Sequence, residues 1–291
     1  LLFIDVLMGG EDAYYGFLAQ RGYWNEGVKK AERAIEIITT LKRKGPAARY
    51  YSYLGLFHYW LGQQKQARQD FEKAHALLSR EKNIKGLIVC LHQLGYIEDD
   101  ENHYAGAREV YSKSLALAQQ IKDQRLIALG FHLVGVIDYH QGFYEKAQQN
   151  LEKAVAIDQE LGIAQAVARN QRRLAAVLRM KAHYCKTVQR EDFLKQGFAL
   201  IKAALQAETS IRSQARGQRQ LGMLYEEDKQ LERAKKCYEK SLTIFESIGN
   251  KKGVGTVQYN LGSICEKTKW PEKARKWYID SKNTAAQVNS R

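Results

Sequence analysis

The sequence predicts an all-α protein built from consecutive helix–turn–helix units, and three observations carry that reading. Only two of the 291 residues are proline, Pro46 and Pro271. Ala, Leu, Gln, Glu, Lys and Arg dominate instead, and these lose little rotamer freedom in a helix. Finally, similar segments recur: SYLGLFHYWLGQQKQARQDFEKA, HQLGYIEDDENHYAGAREVYSKS, HLVGVIDYHQGFYEKAQQNLEKA, RQLGMLYEEDKQLERAKKCYEKS and YNLGSICEKTKWPEKARKWYIDS.

Aligning these segments defines a register. A small residue marks the middle of one helix at Gly55, Gly95, Gly135, Ala175, Gly222 and Gly262, spaced by 40, 40, 40, 47 and 40 residues. Twelve residues after most markers stands Ala67, Ala107, Ala147, Ala234 or Ala274. Four further on comes a large residue, Phe71, Tyr111, Leu151, Tyr238 or Tyr278, and three beyond that Ala74, Ser114, Ala154, Ser241 or Ser281. Small residues at fixed places let two helices approach, and the large one fills the gap they leave.

Taken in order, the units run near 12–45, 46–85, 86–125, 126–165, 166–212, 213–252 and 253–291, which makes 1–291 a single repeat domain. The first unit is degenerate, because Gly27 and Ala31 replace the Ala and the large residue. Gly22, Gly62, Asn102 and Gly142 share one position between the two helices of a unit. Those residue types tolerate the left-handed conformation that ends a helix. Asn83, Asp123 and Asn250 mark the turn between successive units. The 47-residue spacing places an insertion of about seven residues around KAHYCKTVQRED, 181–192, next to a basic face.

This pattern of Leu-Gly, Ala, aromatic and Ala resembles the tetratricopeptide repeat, in a form longer than the usual ~34 residues. The long form is similar to kinesin-light-chain-type and spindle-orientation adaptors, and to the sensor regions of bacterial signal-transduction ATPases with numerous domains (STAND proteins). The start, FLAQRGYWNEGVKKAERAIEII, resembles the point where such ATPases hand over to their repeats. The resemblance implies a right-handed superhelix, an α-solenoid of about seven repeats, with first helices lining a concave groove and second helices forming the convex back.

On that geometry the groove positions can be read down the array. Three before each marker stand Ser52, His92, His132, Arg172, Arg219 and Tyr259. Six before it are Arg169 and Arg216, and four after it Tyr139 and Arg179. Residues one turn apart share a helix face, so Arg169, Arg172 and Arg179 are expected together, beside Arg216 and Arg219. The candidate ligand-binding set is therefore these five arginines with His132, Tyr139, Tyr259 and Asn260.

Charge singles out the same region. The net charge is +14, and 161–190 holds Arg169, Arg172, Arg173, Arg179, Lys181, Lys186 and Arg190 with no acidic residue. Clustered arginines repel one another, and each presents a planar fork suited to carboxylate or phosphate. The expected partner is thus an acidic protein or peptide segment in the groove. Reversing Arg172 and Arg219 to Glu is expected to abolish binding with little change in stability. The acidic runs EDDE (98–101) and EED (226–228) read as charges on the groove rim, not as calcium ligands.

Other functions are weighed against the same residues. No GxxxxGK[ST], GxSxG or HExxH motif occurs, so no catalytic or cofactor site is expected. His92 and His132 offer two imidazoles without a third ligand, too few for a metal site. Cys90, Cys185, Cys237 and Cys265 form no CxxC pair and read as buried, reduced thiols of a cytoplasmic protein. A nucleic-acid-binding repeat is an alternative, since a pI near 9.5 permits phosphate contacts, but no pair of base-reading residues repeats in every unit. A small-molecule inducer sensor is another, with Tyr59, Tyr96, Tyr139 and Tyr259 available to stack on a ligand.

No apolar run approaches the ~18 residues of a membrane-spanning helix. The opening LLFIDVLMGGED contains Asp5 and lacks a basic leader, unlike a signal peptide. The chain begins without Met, as expected of a piece of a longer protein whose non-catalytic sensor this array forms.

Overall fold

The computed structural model describes residues 23–40 and 47–289, among which there are thirteen helices and no strand. Gly22, Pro46 and the beginning of the first unit lie outside the described residues. Two compact units divide the chain, one ending at Ile137 and the other starting at Asp138.

The first unit contains α1 (Trp24–Thr40), α2 (Ala47–Trp60), α3 (Gln64–Arg80), α4 (Ile84–Asp100), α5 (Tyr104–Gln120) and most of α6 (Gln124–His140). After the end of α6, the second holds α7 (Tyr144–Glu160), α8 (Ala164–Tyr184), α9 (Gln189–Ala207), α10 (Ile211–Glu227), α11 (Leu231–Ser247), α12 (Lys251–Lys267) and α13 (Pro271–Asn289). Within each unit, helices adjacent in sequence pack on each other. In the second unit the first helices α8, α10 and α12 also lie side by side, the contact pattern of an α-solenoid.

The marker glycines are explained by the rings that face them. A methyl group at Gly222 would stand 2.6 Å from the Tyr238 ring, and one at Gly262 2.6 Å from Tyr278. Both rings are the large residues of the sequence register, and Tyr238 is fully buried. Such packing leaves no room for a β-carbon.

Helix ends follow the turn residues. Gly62, Asn102 and Gly142 take positive φ between the helices of their units, and so do Lys229 and Lys269 at the same register position. The last two carry no sequence signal, because lysine has no preference for that conformation. Between units, Asn83 and Asn250 cap α4 and α12 through Gly86 N–H and Gly253 N–H.

The fifth unit departs from the regular register in two places. Buried positions of the second helices recur as Ala67, Phe71, Ala74, Leu78; as Ala147, Leu151, Ala154, Asp158; and as Gly197, Ile201, Ala204, Glu208. Ala175 and Gly197 are 22 residues apart where Gly55 and Ala67 are 12 apart, so ten residues enter between α8 and α9. Glu208 and Gly222 are 14 apart where Leu78 and Gly95 are 17, so three are lost before α10. The net seven is the excess visible in the sequence. At the shortened junction Glu208 and Ser210 are extended, with no left-handed residue between the helices.

Candidate functional site

The candidate site lies on α8 and α10, and its arginines divide into two kinds. Arg172 is buried, and its Nε donates to Glu208 Oε1 at 2.5 Å, with side chains 8% and 4% exposed. Arg169 is half-buried and acts on Asp158 in the last turn of α7; burial raises the Asp158 carboxyl, and the Arg169 charge and a 2.7 Å hydrogen bond from Asn170 oppose that rise. These two arginines are matched by acids from second helices. Arg172 is thus not the uncompensated groove charge expected from the sequence, where Glu208 is distant and holds a position that is apolar in most other units.

Arg173, Arg179, Arg216 and Arg219 are of the other kind, with no carboxylate partner among the described residues. Arg179 donates to Met180 Sδ at 3.1 Å and Arg219 faces Met223 Sδ at 3.8 Å, both weak acceptors. The charge of Arg173 is disfavoured first by desolvation among surrounding protein atoms, then by Arg172, Arg216 and Arg219. Desolvation and then Arg172, Arg212 and Arg219 depress Arg216, with Glu208 acting against them. Desolvation is again the first cause at Arg219, with Tyr238 and Tyr139 opposing it and Arg179 and Arg172 adding to it.

Arg173 and Arg216 keep exposed surface although desolvation leads their shifts. Arg173 was counted in the basic stretch 161–190 but not in the candidate ligand-binding set. Its signal was its register: it stands two before the marker, as Gln220 and Asn260 do on α10 and α12. The side-chain oxygens of Gln220 and Asn260 are buried and have no hydrogen-bond partner.

The nearby acids are engaged elsewhere. Glu226 accepts from Lys267 at 2.7 Å, Tyr238 at 2.6 Å and Ser263 at 2.9 Å. Glu227 holds Arg190 at 3.3 Å and His183 at 3.1 Å. The EED run therefore leaves the arginines of α8 and α10 unmatched.

The remaining candidates are dispersed. Tyr139 is half-buried, with its ring 6.0 Å from that of Tyr144. Tyr259 is 59% exposed and packs its ring 5.3 Å from Tyr278. His132 is buried in the first unit. There, His92 Nε2 lies 2.7 Å from Ser114 Oγ, and burial lowers its pKa to about 4.

Glu98, Glu101 and His103 bring ligand atoms within 4.8 Å of one another, but Arg68 binds both carboxylates. Cys90 and Cys237 are buried as expected, while Cys185 and Cys265 are only half-buried.

The insertion, with α7 and α9, borders an open cleft of about 700 Å³, lined by residues that include Tyr144, Lys181, Tyr184, Cys185 and Phe193. Tyr144 and Tyr184 stack there with ring centroids 5.8 Å apart.

The helix pairs, the glycine–ring contacts and the side-by-side first helices define an α-solenoid of the tetratricopeptide-repeat kind. Residues 47–81 and 213–285 match models of the tetratricopeptide repeat. The apo form of RapI superposes with a TM-score of 0.75 at 13% identity, covering 94% of this chain and 96% of that one. The Rap conjugation gene regulator of plasmid pLS20, in complex with the Phr* peptide, gives 0.65 at 12% identity, covering 94% and 72%. A STAND protein with a tetratricopeptide-repeat sensor from Pyrococcus horikoshii gives 0.65 at 16% identity, covering 93% of this chain and 41% of that one. At these identities the likeness is one of fold. No curated protein matches the sequence. Among the described residues no helix is long and apolar enough to cross a membrane.

Proposed function

We propose that residues 1–291 act as one non-catalytic recognition array. Its first helices in the second unit bind an acidic peptide or protein segment, and the array serves as the sensing part of a larger cytoplasmic signalling protein of the STAND type. The observation that carries this reading is the set of arginines on α8 and α10 that have no carboxylate partner among the described residues. Like charges held together cost folding free energy, so a bound anion is what relieves them. Gln220 and Asn260 continue the same register position with polar side chains along α10 and α12.

Two structural neighbours support the class of function. The structure of the pLS20 regulator is in complex with the Phr* peptide, and the Pyrococcus horikoshii protein carries a tetratricopeptide-repeat sensor. The test is fluorescence anisotropy with labelled pools of Asp/Glu-rich and Lys/Arg-rich short peptides. The acidic pool is expected to bind, and more weakly as salt rises, because exposed charges are screened beyond about 8 Å at physiological salt. Binding of the basic pool alone, or indifference to salt, refutes the proposal.

A further inference from the structure

We infer that the arginine cluster of α8 and α10 receives a phosphomonoester dianion carried on a peptide side chain. This rests on the recognition function proposed above and narrows its ligand.

The internal carboxylate is the first argument. Glu208 shows how this region handles a single negative charge: its Oε1 takes Arg172 alone, while Oε2 has no partner. One carboxylate satisfies one guanidinium. Arg173, Arg216 and Arg219 remain, contributed by two neighbouring helices, with Arg179 further along α8.

Charge and donor number decide between ligand classes. A second carboxylate, or one phosphodiester, brings a single negative charge and leaves most of the cluster uncompensated. A phosphomonoester carries about −1.5 to −2 at neutral pH and presents three strong acceptor oxygens. Guanidinium forks from two helices can approach such a tetrahedral group from different sides, each in bidentate geometry. Among the described residues, the Arg179 and Arg219 head groups donate only to thioether sulfurs, weak acceptors readily exchanged for phosphoryl oxygen.

The experiment uses the whole chain and three labelled short-peptide pools, degenerate except for a central phosphoserine, Glu or Ser. Inorganic phosphate and a mixed-sequence single-stranded RNA serve as competitors. The phosphoserine pool is expected to bind about tenfold or more tightly than the Glu pool. Arg173→Gln and Arg219→Gln should each weaken it by about tenfold or more, and Arg173→Lys should recover little, because lysine keeps the charge and loses the fork. Lys235→Gln on α11 should change nothing. Melting curves of the same variants must show that they fold.

Inorganic phosphate should compete only in large excess, which separates the peptide-borne group from the free ion. Equal binding of the phosphoserine and Glu pools overturns this inference and leaves the acidic-peptide function standing. Competition by RNA at lower concentration than the phosphoserine pool also overturns it. If no pool binds, both this inference and the recognition function fail.

Discussion

Breaking the buried ion pair at Arg172 tests whether that arginine belongs to the scaffold. Its side chain and that of Glu208 are 8% and 4% exposed, so neither charge regains water when its partner is removed. Removing one member of such a pair typically costs about 3–5 kcal/mol. The two ends are not equivalent here. In Arg172→Met, the Glu208 carboxylate still feels Arg216, which places the loss near the lower figure. In Glu208→Leu, Arg172 is left charged beside Arg173, Arg216 and Arg219, which places it near ~5 kcal/mol.

The double variant removes both buried charges, and Leu restores the apolar character that Leu78 and Phe245 give the same position. It should return to within about 1 kcal/mol of the unchanged chain. Urea unfolding gives the cycle, and hydrogen exchange of peptides from α8 to α10 localises the loss, since repeat arrays need not unfold as one unit. Single variants that each cost less than about 1 kcal/mol, or a double variant as unstable as the summed singles, refute the assignment.

Two further perturbations address the packing. Gly222→Ala should destabilise by about 1–3 kcal/mol, because the new methyl meets the buried Tyr238 ring; an unchanged melting temperature would mean that the ring yields. For His92, the folded pKa of about 4 lies below the ordinary 6.5, so its contribution is intact above pH 6.5 and is lost as pH falls towards 4. That loss amounts to about 3 kcal/mol, and urea unfolding of His92→Gln should show a correspondingly flatter decline between those pH values.

The fold was legible because its causes repeat. Each Gly222–Tyr238 type of contact needs a small residue and a ring at a fixed separation, and several copies make that separation visible. Turn positions were legible only where Gly or Asn held them; Lys229 and Lys269 adopt the same backbone without advertising it. The insertion was seen as its net length, since a gain of ten and a loss of three cancel in any marker-to-marker count. Among the arginines, helix periodicity grouped Arg169, Arg172 and Arg179, but pairing is a tertiary property. Arg172 meets an acid 36 residues away, which no local pattern discloses. For the same reason, reversing Arg172 to Glu is no longer expected to spare stability.

What the acids leave uncompensated leads to the last prediction. Asp158 and Glu208 reach α8 from second helices and offset Arg169 and Arg172, while Glu226 and Glu227 are held by other partners. On α8 and α10 the remaining excess charge is thereby carried by Arg173, Arg179, Arg212, Arg216 and Arg219, which have no carboxylate partner among the described residues. If folding stability alone had shaped this surface, one more carboxylate in reach would have been favourable. Gln220 marks where it would stand: it follows Arg219 on α10, shares the register position of Arg173, and has an unpaired side-chain oxygen. Gln220→Glu changes the charge with almost no change of shape. It should raise stability by about 0.5–1 kcal/mol through relief of repulsion, and at the same time weaken anionic-peptide binding by competing for the same guanidiniums. The readouts are the melting temperature and the anisotropy titration with the acidic pool. A stabilised variant that still binds normally would show that the ligand does not use these arginines; a destabilised one would show that their charges are already balanced.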